Sequence, residues 1–216
     1  MKVLCVGYRT WALDIYDKLF KNYQNGEVFI IRRKKDYSEE FVKTLNPDII
    51  LFYGWSWIIS ETIVNTYKCI MLHPSKLPKY RGGSPIQNQI IDGEIESAVT
   101  LFLVNTNLDA GPILFQKMMT LDGHIIDIFS RITKLGYEGT MKLLANPIVG
   151  VKQKDADATY CKRREKSQSE VTLDELATKP ADYLYNKIRM LEDPYPNAFF
   201  VAKDGKKILF KGVEIL

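Results

Sequence analysis

Four short segments that are apolar at every position constrain the fold of this chain more than any other feature. They are Val3 to Val6, Val28 to Ile31, Ile49 to Tyr53 and Cys69 to Leu72. Such continuous runs are typical of strands that are buried on both faces of a sheet. Helical patterns lie between them at residues 11–20, 36–45 and 58–67, the second starting at a capping-box-like pair, Asp36 and Glu39. The alternation predicts a largely parallel sheet covered by helices on both sides.

The second half of the chain continues this pattern and then departs from it. Two further strands are predicted at residues 98–104 and 112–119, before a long amphipathic helix at residues 125–144. After a polar stretch, residues 181–191 predict a helix and residues 198–213 a hairpin. We therefore expect a Rossmann-like α/β domain at residues 1–150, with a mostly parallel sheet flanked by helices. Residues 151–216 would form an extension made of a linker, a short helix and a β-hairpin.

Composition excludes several classes of protein. The 216 residues include 30 Lys and Arg against 26 Asp and Glu, a formal net charge of +4, which is low for a nucleic-acid-binding protein. No segment has the roughly 20 apolar residues of a membrane span, and the first residues turn polar at Arg9, unlike a signal peptide. The three cysteines are far apart and predict neither disulfides nor a zinc site. We expect a cytoplasmic protein with no metal, no nucleic-acid partner and no membrane association.

The loops after the predicted strands are the expected place for a site, because α/β sheets bind ligands at the carboxyl ends of their strands. One such loop begins with His73, and another carries Asp109. Taken alone, a histidine at a strand end or an aspartate before Ala-Gly-Pro is more often structural than catalytic. The loop after the first strand has only Gly7 and lacks a dinucleotide fingerprint. Trp55 and Trp57 are as compatible with contact to a flat ligand as with a core position.

These two segments together resemble the folate-dependent formyltransferase family, most of all its small nucleotide-sugar N-formyltransferases. The family pattern runs Asn-x-His-x-Ser-x-Leu-Pro, then Arg-Gly with Pro-Ile, then Leu-Asp-x-Gly before an apolar strand. Here residues 71–78 read Met-Leu-His-Pro-Ser-Lys-Leu-Pro, Arg81-Gly82 and Pro85-Ile86 follow, and residues 108–111 read Leu-Asp-Ala-Gly. The resemblance covers the first two thirds of the chain.

The resemblance implies an enzyme that transfers a formyl group from 10-formyltetrahydrofolate to a primary amine. The family's Asn, His and Asp correspond to Met71, His73 and Asp109. His73 would face the oxyanion of the tetrahedral intermediate or relay a proton, and Asp109 would orient and charge-stabilise the imidazole. Met71 departs from the pattern, because a thioether cannot donate a hydrogen bond. By the same correspondence, the folate would bind at Phe52, Trp55, Trp57, Ile59, Val64, Asn105, Thr106, Asn107 and Leu108.

Three amine acceptors compete within this family. The low net charge and the short tail, where tRNA enzymes carry a β-barrel domain, disfavour methionyl-tRNA. The missing Gly-Asn-Gly-Ser loop after the first strand disfavours glycinamide ribonucleotide. We therefore expect a nucleotide-linked amino sugar, as used in O-antigen or other surface polysaccharide biosynthesis. Its predicted contacts are Arg9, Lys76, Tyr80, Arg81 and Tyr160.

Two further expectations complete this interpretation. Because of Met71, a folate- or sugar-nucleotide-binding paralogue without catalysis is the alternative from a different class. The resemblance also suggests a homodimer that pairs through the C-terminal hairpin.

Overall fold

A six-stranded sheet flanked by helices forms the centre of the computed structural model, which describes residues 1–146 and 149–216. The strands are β1 (Lys2–Val6), β2 (Glu27–Ile31), β3 (Ile49–Tyr53), β4 (Lys68–His73), β5 (Arg81–Gly82), β6 (Glu96–Leu103), β7 (Ile113–Thr120), β8 (Tyr160–Cys161), β9 (Phe199–Val201) and β10 (Lys207–Leu209). The helices are α1 (Thr10–Asn22), α2 (Glu39–Leu45), α3 (Glu61–Thr66), α4 (Pro85–Ile91), α5 (Ile125–Ala145), α6 (Leu173–Thr178) and α7 (Ala181–Arg189). The central sheet has the order β2-β1-β3-β4-β6-β7, while β5 pairs with β8 and β9 with β10.

The central sheet is parallel through four strands and antiparallel at one edge. Strands β2, β1, β3 and β4 run parallel, whereas β6 runs against β4 and β7 against β6. The predicted Rossmann-like, mostly parallel α/β fold is confirmed. Because β6 runs against β4, the carboxyl end of β6 lies at the opposite edge of the sheet from the carboxyl ends of the parallel strands. The Val104 amide, just after β6, donates to the Cys69 carbonyl near the start of β4 at 2.9 Å, so Val104 does not lie at the carboxyl edge of the parallel strands.

Apolar layers on both faces of the sheet hold the helices in place. One layer includes Ile15 and Leu19 of α1 with Ile128 and Ile132 of α5. The other includes side chains from β1, β3, α2 and α3, namely Leu4, Phe52, Val42 and Ile63. Gly136 lets α5 approach closely, since a Cβ there would lie 2.6 Å from Ile15 Cδ1 and 2.7 Å from Leu72 Cδ1.

Two helix starts differ from the sequence expectation. Helix α2 begins after Ser38, whose Oγ accepts from the Phe41 amide at 3.1 Å. Asp36 does not cap it, because its carboxylate pairs with Arg33 at 2.7 Å. Helix α3 begins at Glu61 rather than at Ile58, which is 99% exposed in the preceding loop.

Residues 151–216 pack against the rest of the chain. The predicted C-terminal helix and hairpin are present as α7 and the β9–β10 pair. β8 pairs with β5, and the buried Arg189 donates to the carbonyls of Leu121 and Gly123 at 2.7 and 2.8 Å. The predicted division at residue 150 stays a prediction, and it falls just after residues 147 and 148, which lie outside the described residues. Within the described parts of the chain, no helix has both the length and the apolar character needed to cross a bilayer.

Candidate active site

A cavity of about 710 Å³ opens at the carboxyl ends of β1, β3 and β4. Met71, His73 and Asp109 all line it. Eight of the nine residues predicted to bind folate line it too, namely Trp55, Trp57, Ile59, Val64, Asn105, Thr106, Asn107 and Leu108. The ninth, Phe52, is fully buried beneath Trp55, with the ring centroids 6.1 Å apart. The structure thus brings the predicted catalytic and folate positions together in one cavity.

The backbone holds His73 in one orientation. Its Nε2 lies 2.7 Å from the carbonyl oxygen of Tyr80. Because a carbonyl oxygen only accepts, Nε2 carries the proton. Nδ1 of the neutral ring therefore presents a lone pair, and it lies 3.5 Å from Oδ2 of Asp109. The Tyr80 carbonyl, rather than Asp109, makes the short contact that fixes the ring.

Asp109 is positioned by backbone contacts of its own. Its Oδ2 accepts the amide proton of Gly82 at 2.8 Å. Asp109 has φ = 48°, in the left-handed region, which aspartate enters more readily than most residues. Asp109 lies in the loop between β6 and β7, and this loop brings its carboxylate close to His73. Segment 80–82 therefore contacts both predicted catalytic side chains.

A buried pair of polar side chains joins this segment to the Asp109 loop. Gln153 donates from Nε2 to the carbonyls of Asp109 and Gly111 at 2.9 and 2.7 Å. Its Oε1 accepts from Nε and Nη2 of Arg81 at 3.1 and 2.9 Å. Arg81 is 1% exposed and does not line the cavity, and it also donates to Asp155. The predicted contact of Arg81 with the substrate stays a prediction, and the donors of its side chain are engaged inside the protein.

Met71 lines the cavity at the position of the family's Asn. Its half-buried side chain packs against the second apolar layer. It places no hydrogen-bond donor there.

One arm of the cavity is aromatic. The rings of Trp55 and Trp57 lie 4.7 Å apart, and Tyr37 packs 5.2 Å from Trp55. Lys34 Nζ lies 5.5 Å from the Trp55 ring and 5.8 Å from the Trp57 ring. Trp57 is 42% exposed and Leu108 is 62% exposed, so apolar surface remains open to solvent there. Such an arm suits a flat, partly apolar ligand.

The other arm is polar, and most of the residues that line it were not predicted from the sequence. Arg9 lines it as predicted, with its guanidinium 4.9 Å from the Tyr8 ring and 5.4 Å from the Tyr195 ring. Tyr195, Gln87 and Arg163 also line the cavity and were not predicted. The Asp-Pro-Tyr-Pro motif around Tyr195 was a visible signal, but its position in the fold could not be inferred from the sequence.

A second cavity of about 460 Å³ adjoins the first, since Cys161 and Arg163 line both. Tyr80 and Tyr160, predicted as substrate contacts, line this second cavity instead, and Lys76 lines neither. Burial and the neighbouring carboxylates of Asp92 and Glu94 raise the pKa of Tyr80. The cationic side chains of this cavity are Lys79, Lys162, Arg163 and Arg164.

The fold and the site define a class of α/β protein with a histidine and an aspartate that face one cavity at the carboxyl edge of the sheet. The sequence profile of the formyl transferase family matches residues 14–144. The chain belongs to the formyl transferase family, which confirms the resemblance and the enzyme class inferred from it.

Individual relatives give a finer comparison. The methionyl-tRNA formyltransferase of a Nitratiruptor species is 33% identical over 191 residues, which cover 85% of this chain and 62% of that protein. The chain spans 54% to 62% of the length of the first three such relatives. The structure of methionyl-tRNA formyltransferase from Clostridium thermocellum matches with a TM-score of 0.85 at 32% identity, covering 97% of both chains. A sugar N-formyltransferase from a Shewanella species matches at 0.76 and 20% identity, covering 100% of this chain and 99% of that one, and supports only the fold.

These comparisons overturn two sequence expectations. The expected nucleotide-sugar acceptor, with its link to O-antigen synthesis, is wrong, because the curated relatives at 30% to 34% identity are methionyl-tRNA formyltransferases. The expected absence of a nucleic-acid partner is wrong for the same reason. The tail-length argument failed because a methionyl-tRNA formyltransferase structure matches over 97% of this chain and 97% of its own. The charge argument failed because a net charge averages over the whole chain, whereas Lys79, Lys162, Arg163 and Arg164 are concentrated beside the site.

Proposed function

We propose that this protein transfers the formyl group of 10-formyltetrahydrofolate to the α-amino group of methionyl-tRNA. The observation that carries the proposal is the match over 97% of both chains to a methionyl-tRNA formyltransferase at 32% identity, with His73 and Asp109 facing the same cavity. The family relationship supports the formyl donor.

The aromatic arm is the proposed site of the folate ring. Trp55 and Trp57 present partly exposed ring faces, and Ile59 and Val64 supply apolar surface beside them. Residues 105–108 line the same space, and their backbone is the proposed source of the amide and carbonyl groups that a pteridine edge needs. A flat heterocycle with a polar edge fits this combination.

The geometry at His73 supports its use as a base. The acceptor amine attacks the formyl carbon and gives up a proton, the bond from that carbon to N10 of the folate breaks, and the proton is returned to N10 as the folate leaves. Nδ1 of His73 has a lone pair free to take that proton, because Nε2 is committed to the Tyr80 carbonyl. The imidazolium that results lies 3.5 Å from the Asp109 carboxylate, which stabilises its positive charge. Nε2, which points at a carbonyl, is not available to the oxyanion.

The second cavity is the proposed track for the tRNA backbone. Its four cations face only two carboxylates, Asp92 and Glu94, both of which accept from the Tyr80 hydroxyl. Lysine and arginine at such a rim neutralise phosphates and release counterions, so binding weakens with salt. The adjoining main cavity would then receive the aminoacylated end.

The test combines transfer with the salt dependence of binding. We expect formylation of methionyl-tRNA and no formylation of a nucleotide-linked amino sugar. Replacing Lys162 and Arg163 by Ala should weaken tRNA binding and reduce the slope of log Kd against log salt by about 0.7 to 0.9 per lost phosphate contact. Lys43→Ala is the control, since Lys43 is exposed on α2 and lines neither cavity. A salt slope that is unchanged in the double variant would contradict the tRNA track.

A further inference from the structure

Gln87 carries a buried hydrogen-bond donor that has no partner at hydrogen-bond distance among the described residues. The residue lies on α4, is 5% exposed and lines the main cavity. Among the buried side-chain nitrogen and oxygen atoms of residues 1–146 and 149–216, its Nε2 is the one without a hydrogen-bond partner. Native proteins pair nearly all such atoms, so an exception in a side chain that lines a cavity points to a ligand.

The neighbouring Gln89 shows that α4 can satisfy a buried amide. Its Nε2 donates to the carbonyls of Pro74 and Pro85 at 2.9 and 2.8 Å, and its Oε1 accepts from Ser97 at 2.7 Å. Pro74 directly follows His73, so these bonds tie α4 to the end of β4. Gln87 is therefore held on a rigid element next to the proposed base.

The groups around Gln87 define what kind of atom it would bind. Burial raises the pKa of Tyr195, while the nearby Gln87 amide and the Arg9 guanidinium act to lower it. Among the residues that the structure describes, Arg9 has no carboxylate within ion-pair distance. Donors thus dominate this wall of the cavity, and the matching ligand group is an oxygen that accepts hydrogen bonds.

We infer that the Gln87 amide binds the carbonyl oxygen of the aminoacyl ester on the acceptor, an inference that rests on the proposed function. In an α-aminoacyl ester the carbonyl carbon is bonded to the carbon that carries the amine. A donor in the same cavity as His73 can therefore hold that carbonyl while the amine faces Nδ1. Gln87 would then help the site distinguish an aminoacyl end from other amines.

The test uses Gln87→Leu, with Gln24→Leu as the matched control because Gln24 is exposed and lines neither cavity. We expect Gln87→Leu to raise KM for methionyl-tRNA, and its Kd without formyl donor, by about 3- to 10-fold, the effect of one lost hydrogen bond. KM for the formyl donor should stay unchanged. The Tm of the free protein should rise by about 2 to 4 °C, because an unpaired buried amide has been removed. Gln87→Glu keeps the shape, replaces the donor by an acceptor, and should weaken acceptor binding as well.

The outcomes separate the inference from the proposed function. If the wild type formylates methionyl-tRNA and both Gln87 variants bind it as the wild type does, the inference is overturned and the proposed function stands. If the wild type neither binds nor formylates methionyl-tRNA, both are overturned. Weaker acceptor binding in both variants, with unchanged donor KM and an unaffected Gln24→Leu, supports the inference.

Discussion

Nδ1 of His73 faces Oδ2 of Asp109 at 3.5 Å across the carboxyl edge of the sheet. This separation is longer than a direct hydrogen bond. It leaves both groups able to act on one proton of an incoming amine. The two residues come from a strand end and a hairpin loop, and their relative position depends on segment 80–82, which contacts both.

Removing the charge of Asp109 tests this arrangement. Asp109→Asn keeps an oxygen for the Gly82 amide and tolerates the left-handed backbone, so the fold should survive. We expect kcat to fall about 10²- to 10⁴-fold, because the imidazolium loses its counter-charge. Single-turnover rates for this variant and for Asp14→Asn, an exposed aspartate on α1, make the comparison. Wild-type turnover by Asp109→Asn would contradict the role assigned to the carboxylate.

Gln153 is expected to affect catalysis by holding the Asp109 loop in place, without touching the substrate itself. Gln153→Leu fills the space but removes both bonds to the Asp109 loop and the acceptor for Arg81. A small displacement of Asp109 should lower kcat by about 10²-fold while the donor KM changes little. It should also alter the dependence of kcat on pH, which a loss of stability alone would not do. An unchanged pH profile together with normal kcat would show that the hydrogen bonds of Gln153 are not needed for catalysis.

Met71 offers a gain-of-function prediction. Met71→Asn restores a donor where the family carries one, and we expect kcat to rise by about tenfold or more, since one oxyanion donor is worth about 10² to 10³ in rate. The same change should lower Tm slightly, because an amide replaces an apolar side chain that packs against the second apolar layer. Met71→Leu is the control and should leave kcat near the wild-type value. A lower kcat for Met71→Asn than for Met71→Leu would mean that the oxyanion is already bound by another donor.

The pH dependence of stability should reflect Glu175. Partial burial alone would raise its pKa, but hydrogen bonds from Lys187, Thr172 and Tyr183 lower it from 4.5 to about 2. A carboxyl with a lowered pKa in the folded state stabilises the fold above its ordinary pKa, and the contribution is lost as the pH falls toward the folded value. Glu175→Gln should therefore lower Tm by several degrees near neutral pH, with the difference shrinking as the pH falls from about 4.5 to about 2.

Glu138 provides the comparison for this titration. Hydrogen bonds from Lys117 and Lys142 also lower its pKa to about 2, but the carboxylate lies on the surface. Surface pairs contribute little because water and salt screen them. Thermal melts of Glu138→Gln should therefore show a smaller loss of Tm than those of Glu175→Gln across the same pH range. An equal loss of Tm in Glu175→Gln and Glu138→Gln would contradict the claim that burial makes the Glu175 interactions more stabilising.

The fold was largely predictable from the sequence because its signals are local. Each buried strand is a continuous apolar run, and α5 has a clear amphipathic period. The direction of β6 was not predictable, because an apolar strand carries no mark of its orientation. Helix α6 was missed because it is short and lies in a polar stretch, where only the Thr172 capping box marks its start.

The candidate site was predictable only where a motif carried it. His73, Asp109 and the residues of the aromatic arm follow from the resemblance. Gln153 and Tyr195 reach the site through tertiary packing from the extension, so no local pattern near the motif reveals them. The acceptor was misjudged because net charge and chain length describe the whole chain, whereas the cations of the proposed tRNA track are a local cluster beside the cavity.

The most direct test is formyl transfer to methionyl-tRNA measured for the wild type, His73→Ala and His124→Ala. His124 is the chain's other histidine, and it caps α5 and pairs with Glu192 away from the cavity lining. With 10-formyltetrahydrofolate as donor, the account predicts formylmethionyl-tRNA from the wild type and from His124→Ala, and a loss of about 10²-fold or more for His73→Ala. No product from the wild type, or equal product from His73→Ala, would contradict it.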